Sequence, residues 1–402
     1  MRTPWTLATG AWLLAMVACD GGTAASKQSC NDVGASPTFL QSKIDDDDGD
    51  GFPYEQDFPR LDVEDDDISD HTWFRDDNGV FHLFFQNEDI FGPSHIEHYI
   101  SNDLQSLTYV GVALLPQPGA WDGAGTWAPH VIRNGGRYYM FYTGVDVVGS
   151  ERHERIGLAT SDDLYAWSRI PGGNCPGAVG DGCVYECREC WTTVGTAGSF
   201  NDQCRDPFVI RDGDHWLLFA TARSLNQYAT VTVAHSANLV DWTGDGLIDA
   251  TRRLSGLADA RATGGMAENP FVIQHDGLNY LFFTDWRDPE DSLSVVTSPR
   301  TIAQYATSPS LAADTLGSAN WTYRGYIPDP GMNAIEIQRV PCGFGDDRWL
   351  MSFSVANPHS GYTADHRRHL RLVFIEWHGD GTFATINPAL IVPGPRSRGP
   401  LP

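Results

Sequence analysis

Apolar and polar positions along this chain fall into short alternating or clustered runs, and helical periodicity is almost absent. One arrangement recurs: a distinctive first residue, a β-rich run, a Gly turn and a second, aromatic run. It first reads Asp70-His71-Thr72-Trp73-Phe74-Arg75, then Asn78-Gly79, then Val80-Phe81-His82-Leu83-Phe84-Phe85. It returns as Trp127 to Arg133, Asn134-Gly135-Gly136 and Arg137 to Tyr142, and again as Arg205 to Arg211, Asp212-Gly213-Asp214 and His215 to Phe219. A fourth copy joins Glu268 to Gln274 with Leu278 to Phe283 through Asp276-Gly277. A weaker fifth joins Ile335 to Val340 with Arg348 to Phe353 through a Gly-rich turn. Asn-Gly and Asp-Gly between β-branched or aromatic runs signal hairpins.

The turn glycines fall at 79, 135, 213, 277 and about 345, at intervals of 56, 78, 64 and roughly 68 residues. Each interval has room for two further strands, for which His98 to Ser101, Ile156 to Ser161 and Thr230 to Ala234 are candidates. Four-stranded units at this period predict an all-β fold, a five-bladed β-propeller over residues 68–402. In a propeller the first strand of each blade lines the central channel. Asp70, Trp127, Asp206 and Glu268 head those strands and are expected to converge at one mouth. Carboxylates facing one pocket are the equipment of glycosidic bond cleavage.

Charge narrows the choice of partners. The chain carries 27 basic and 52 acidic residues, a net charge of −25. That speaks against nucleic acid and against direct docking on anionic lipid. At the N-terminus, Arg2 precedes an apolar run from Trp5 to Val17. This run is shorter than the roughly 20 residues that span a bilayer but suits a signal peptide, placed at residues 1–18. Met16-Val17-Ala18-Cys19 resembles a bacterial lipobox, with Cys19 as the lipidated residue; the plainer reading is a cleavage site beside an incidental cysteine. Residues 19–67 read as a tether and acidic linker, with 12 acidic residues and one base between Ile44 and Asp67. Asp46-Asp47-Asp48-Gly49-Asp50-Gly51 is a weak candidate for structural calcium; a solvated, self-repelling spacer is the favoured reading. The expected protein is exported, meets the membrane only through a lipid anchor and requires no cofactor.

Five of the seven remaining cysteines fall between positions 175 and 204. Cys187-Arg188-Glu189-Cys190 invites a zinc or redox reading, but in an exported chain disulfides are favoured. Such staples would hold a long insertion directly before Arg205-Asp206.

At these residues the chain resembles the five-bladed propeller glycoside hydrolases of families 43 and 32. Trp127-Ala128-Pro129 with Gly136-Arg137-Tyr138-Tyr139, and Glu268-Asn269-Pro270, resemble family 43 signatures. Arg205-Asp206-Pro207, and His82 to Gln86 followed by Ser101-Asn102-Asp103-Leu104, resemble family 32. The resemblance implies that Glu268 is the general acid and that Asp206 modulates it and stabilises the transition state. Asp70 would activate water if the enzyme inverts, as family 43 does, or attack the anomeric carbon if it retains, as family 32 does. Trp73 and Trp127 are sugar-stacking candidates or core aromatics. Arg205 and Asn269 are substrate-contact candidates, although Arg205 could simply neutralise Asp206. His95, His98 and His130 read as structural. One departure stands out. Both families usually follow the first-blade Asp with Pro, where this chain has His71, so Asp66 or Asp67 is an alternative counterpart. The leading expectation is an exported glycoside hydrolase acting on polysaccharide or oligosaccharide, with family 43-like arabinan or xylan chemistry first and family 32-like fructan chemistry second. A glycan-binding propeller without catalysis is the non-enzyme alternative.

Overall fold

In the computed structural model the described residues are 60–61 and most of 68–386. Residues 1–59, 62–67, 189–202, 255–266, 286–301, 314–320, 341–347, 357–367 and 387–402, with a few shorter breaks, lie outside them. Cys19, the signal peptide, the candidate calcium loop, Asp66 and Asp67 are therefore outside the described residues.

Every regular element among the described residues is a strand. A short β1 (Arg60–Leu61) precedes the first blade, which is β2 (Ile68–Arg75), β3 (Phe81–Asn87), β4 (His95–Ser101) and β5 (Thr108–Leu114). The second blade is β6 (Gly125–Asn134), β7 (Arg137–Val148) and β8 (Glu151–Ser161), with β9 (Ser168–Arg169) and β10 (Cys183–Tyr185) both paired to β8. The third is β11 (Cys204–Asp212), β12 (His215–Arg223), β13 (Tyr228–Ser236) and β14 (Thr243–Leu254). The fourth is β15 (Glu268–His275), β16 (Leu278–Asp285), β17 (Ile302–Ser308) and β18 (Thr322–Pro330). The fifth is β19 (Met332–Val340), β20 (Arg348–Ala356), β21 (Arg368–Trp377) and β22 (Phe383–Ile386). Each blade is an antiparallel meander, and five blades are formed as the repeat predicts. One boundary changes: Arg60–Leu61, read as linker, pairs with Arg371 and Leu370 at the outer side of the fifth blade.

The aromatic runs become second strands because a strand between two packed sheets must be apolar on both faces. All seven residues of β3 are buried, and β12 and β16 are buried throughout except for their first residues. The core lies between blades. Phe84 and Ile96 of the first blade pack with Met140 and Tyr142 of the second, and Phe219 and Val233 of the third with Phe271 and Phe282 of the fourth. A second repeated device turns the third strand into the fourth. The Ser101, Ser161 and Ser236 hydroxyls accept the backbone N–H of Leu104, Leu164 and Leu239 at 2.8, 2.9 and 2.9 Å. Each leucine is buried at positive φ.

Candidate active site

All five inner strands carry the same irregularity near their starts. Register jumps between Ile68 and His71, Trp127 and His130, Arg205 and Phe208, Glu268 and Phe271, and Asn333 and Glu336. Two residues there oppose one across the ladder, a β-bulge that re-aims side chains. In four blades the first bulge residue has positive φ: Ala128 at 42°, Asp206 at 56°, Asn269 at 52° and Ala334 at 49°. That conformation costs a non-glycine residue roughly 1 kcal/mol or more, and Asn and Asp bear it best.

The preceding blade captures each strained N–H. Ala128 donates to Gln86 Oε1 at 3.3 Å, Asp206 to Thr143 Oγ1 at 2.8 Å and Ala334 to Thr284 Oγ1 at 3.3 Å. In the fourth blade Asn269 donates instead to the Asp206 carboxylate, at 3.1 Å. Thr221, the counterpart of Thr143 and Thr284, donates to the same Asp206 oxygen at 2.8 Å.

The bulges also correct the alignment of the repeats. Asp70, Trp127, Asp206 and Glu268 do not share one level. Asp206 is the first bulge residue and Asp70 the second, whereas Trp127 and Glu268 precede the bulge. Counting back from the Gly turns hides this, because the first turn is longer than those of the second, third and fourth blades. All four nevertheless sit within the first three residues of their strands, at one end of the channel.

Asp70, Asp206 and Asn269 line one narrow cavity of about 30 Å³ on the axis, together with residues that follow the bulges, among them His130, Phe208 and Glu336. The His130 ring lies 4.4 Å from Phe208, its Nε2 is 3.1 Å from the Val209 carbonyl and its Nδ1 is 3.8 Å from Glu336 Oε1. His71, at the position the families usually fill with Pro, places Nε2 2.7 Å from Ser352 Oγ of the fifth blade. Burial pushes His71 down to about 3, so it is a neutral structural link.

Arg205 organises the carboxylates. Its Nη1 donates to Glu154 Oε2 at 2.9 Å, its Nη2 to Glu268, and its Nε lies 3.5 Å from Asp206 Oδ2. Against the cost of burial, Glu154, Glu268 and Asp206 hold this guanidinium firmly charged. Burial pushes Asp206 up to about 6, with Arg205 opposing and the Glu268 carboxylate adding to the rise. Carboxyl groups gathered on one buried cation in this way mark candidate acid–base sites. Glu154 is a residue that the repeats did not expose.

The other candidates divide. Trp127 is half-buried, with the Arg152 guanidinium 5.2 Å from its ring centroid. Of its two readings Trp73 takes the core one, which corrects its candidacy as a substrate contact. It is 7% exposed, packs edge-on against Phe81 and belongs to the core between the first and fifth blades. The Cys187–Cys204 disulfide ends immediately before Arg205, and Cys175–Cys183 closes the insertion below it. Cys187 is therefore part of a disulfide and not a thiolate metal ligand. Among the described residues no three His, Cys, Asp or Glu side chains gather to hold a metal.

Residues 68–277, which contain all three candidate carboxylates, match the N-terminal domain of the glycosyl hydrolases family 32. The chain belongs to glycosyl hydrolase family 32. Among its curated relatives is a probable sucrose-6-phosphate hydrolase of Psychromonas ingrahamii, 26% identical over 189 residues, covering 44% of this chain and 30% of that protein. A sucrose-6-phosphate hydrolase of Zymomonas mobilis is 27% identical over 187 residues, covering 42% of this chain and 33% of the relative. The matched region thus spans about a third of either relative's length. Sucrose-6-phosphate hydrolase from Lactobacillus gasseri superposes with a TM-score of 0.57 at 17% identity, over 87% of this chain and 65% of that one. A thermostable family-43 glycoside hydrolase superposes with a TM-score of 0.54 at 17% identity, over 84% of this chain and 96% of that one. These structures share the fold. The family match favours the family 32 side of the resemblance over the family 43 side that led it.

Proposed function

We propose that this family 32 chain is an exported glycoside hydrolase that releases fructosyl residues from sucrose, fructo-oligosaccharides or fructans, with retention at the anomeric carbon. The observation that carries this reading is the Asp206–Arg205–Glu268 cluster at the channel mouth where Asp70 also lies, inside the family-matched region. Asp70 attacks the anomeric carbon while Glu268 protonates the departing oxygen; Glu268 then deprotonates the water that releases the sugar. Asp206 meets the positive charge that develops on the sugar ring. Substrate entry must loosen the Arg205–Glu268 contact, so that the Glu268 carboxyl is free to meet the departing oxygen. The body is acidic, with 38 acidic and 23 basic residues over positions 68–402, which favours neutral sugars over the phosphorylated substrate for which the curated relatives are named. A lipid on Cys19 would hold the catalytic domain at a membrane surface, and Cys19→Ala should then release active enzyme.

The test is a panel of sucrose, sucrose 6-phosphate, inulin, arabinan and xylan, with the first-formed anomer followed by NMR. Fructose released with retention, and lost in Glu268→Gln by about 10²–10⁴-fold, is the expected result. Release from arabinan or xylan alone, or binding without release, overturns it.

A further inference from the structure

The Arg205 guanidinium is gripped from two sides. Glu154 on β8, 1% exposed at its side chain, takes Nη1 through Oε2 at 2.9 Å and takes Arg152 Nε through Oε1 at 3.0 Å. Glu268 on β15 takes Nη2. The second blade thus reaches through an arginine of the third to the candidate acid of the fourth. Among the described residues, the charged groups paired or coupled around this contact include Arg152 and Glu154 from β8, Arg205 and Asp206 from β11, Arg223 from β12 and Glu268 from β15. Arg155 beside them is paired with Glu186 at 3.0 Å. Burial leaves Glu154, Arg205, Asp206 and Glu268 weakly screened.

One guanidinium cannot neutralise two carboxylates fully. Whatever part of the Arg205 charge is compensated by Glu154 no longer holds Glu268 in its charged form. Arg152, drawing on the other oxygen of Glu154, works in the opposite sense. We propose that Glu154 is a positioning residue for the acid, holding Arg205 from the side away from Glu268 so that Glu268 can take up the proton it must deliver. This rests on the reading of Glu268 as the acid.

The experiment is the pH dependence of kcat/KM for sucrose, measured on the full chain and on Glu154→Gln, Glu154→Asp, Arg152→Gln and Glu268→Gln. Glu154→Gln should move the basic limb down by roughly one pH unit, about a tenfold loss on the alkaline side with a smaller change on the acid side. Glu154→Asp, which keeps the charge, should restore most of that shift. Arg152→Gln should move the limb up, since it removes positive charge from the same chain. Opposed shifts cannot arise from general loosening of the mouth. Limbs that stay in place, or move in the same direction in both variants, overturn the proposal. If Glu154→Gln does not fold, Arg152→Gln decides alone, because that side chain is 37% exposed, and a stationary or lowered limb then refutes the idea. Glu268→Gln separates the two readings: near-native turnover there removes the acid assignment itself, whereas an inactive Glu268→Gln beside unmoved limbs removes only the role of Glu154.

Discussion

A carboxylate buried beside another carboxylate is a liability above the pH at which it ionises. Asp206 is held at about 6 against an ordinary 3.8. A folded value above the unfolded one means that its contribution to stability is complete below pH 3.8 and is lost as pH rises through 6. Asp206→Asn should therefore stabilise the fold at pH 7.5, by at most about 3 kcal/mol, and raise the melting temperature there, while abolishing turnover. The difference should vanish below about pH 4, and thermal melts of both proteins across that range would show it. An Asn variant less stable at neutral pH would mean that the bonds from Thr221 and Asn269 outweigh the buried charge. Histidines push the other way. Burial holds His71 at about 3, and burial with the neighbouring His82 holds His98 at about 3. For a base with a lowered folded value, stability is present above the ordinary 6.5 and is lost as pH falls from there toward 3. His98→Gln should flatten the fall in melting temperature between pH 7 and 4.5. An unchanged slope would place the acid sensitivity elsewhere.

At the scale of strands, the bulge is what turns a repeat into a site. It presents Asp206 by holding its backbone at positive φ, and the Thr143 hydroxyl of the neighbouring blade secures that conformation at 2.8 Å. Thr143→Val keeps the shape and removes the acceptor. It should lower stability by about 1 kcal/mol and lower kcat, through misplacement of Asp206, by about tenfold. Denaturant melts and initial rates would check both; unaltered kcat would mean that the bulge holds itself. The blades themselves were legible in the sequence, because Asn78-Gly79, Asp212-Gly213 and Asp276-Gly277 each join a mixed run to a run apolar on both faces. The bulge was not, since its partners Thr143 and Asp206 lie 63 residues apart and only the ring brings them together. Glu154 was hidden for a related reason. Within Glu151-Arg152-His153-Glu154-Arg155 it reads as part of a solvated hairpin, and only the fold shows Arg205 beside it. Trp73 was ambiguous because an aromatic three residues past a bulge can face either the mouth or the core, and pattern alone does not count the extra residue.

Closing the ring is a problem for the whole molecule, because the first and fifth blades meet without a connecting hairpin. Side chains from the fifth blade make the joint. Glu336 accepts the Trp73 N–H at 3.1 Å, Gln338 donates to the Trp73 carbonyl at 2.9 Å, and Ser352 meets His71 at 2.7 Å. The burial of Trp73 here explains why it serves closure and not substrate. A backbone tie adds to this. β1, from before the first blade, pairs with the strand that also carries β22, so both flanks of the propeller chain complete the fifth blade. Contacts this remote in sequence form late, after most loop-closure entropy has been lost, and stabilise the ring against opening at its single seam. Deleting residues 1–55 keeps β1, whereas deleting 1–67 removes it. The longer deletion should lower the melting temperature by roughly 2–4 °C relative to the shorter one. It should also speed hydrogen exchange at Leu370 and Arg371 while leaving kcat on sucrose within about twofold, since the carboxylates sit on other strands. Equal melting temperatures and equal exchange in the two deletions would show that the side-chain joint closes the ring without β1.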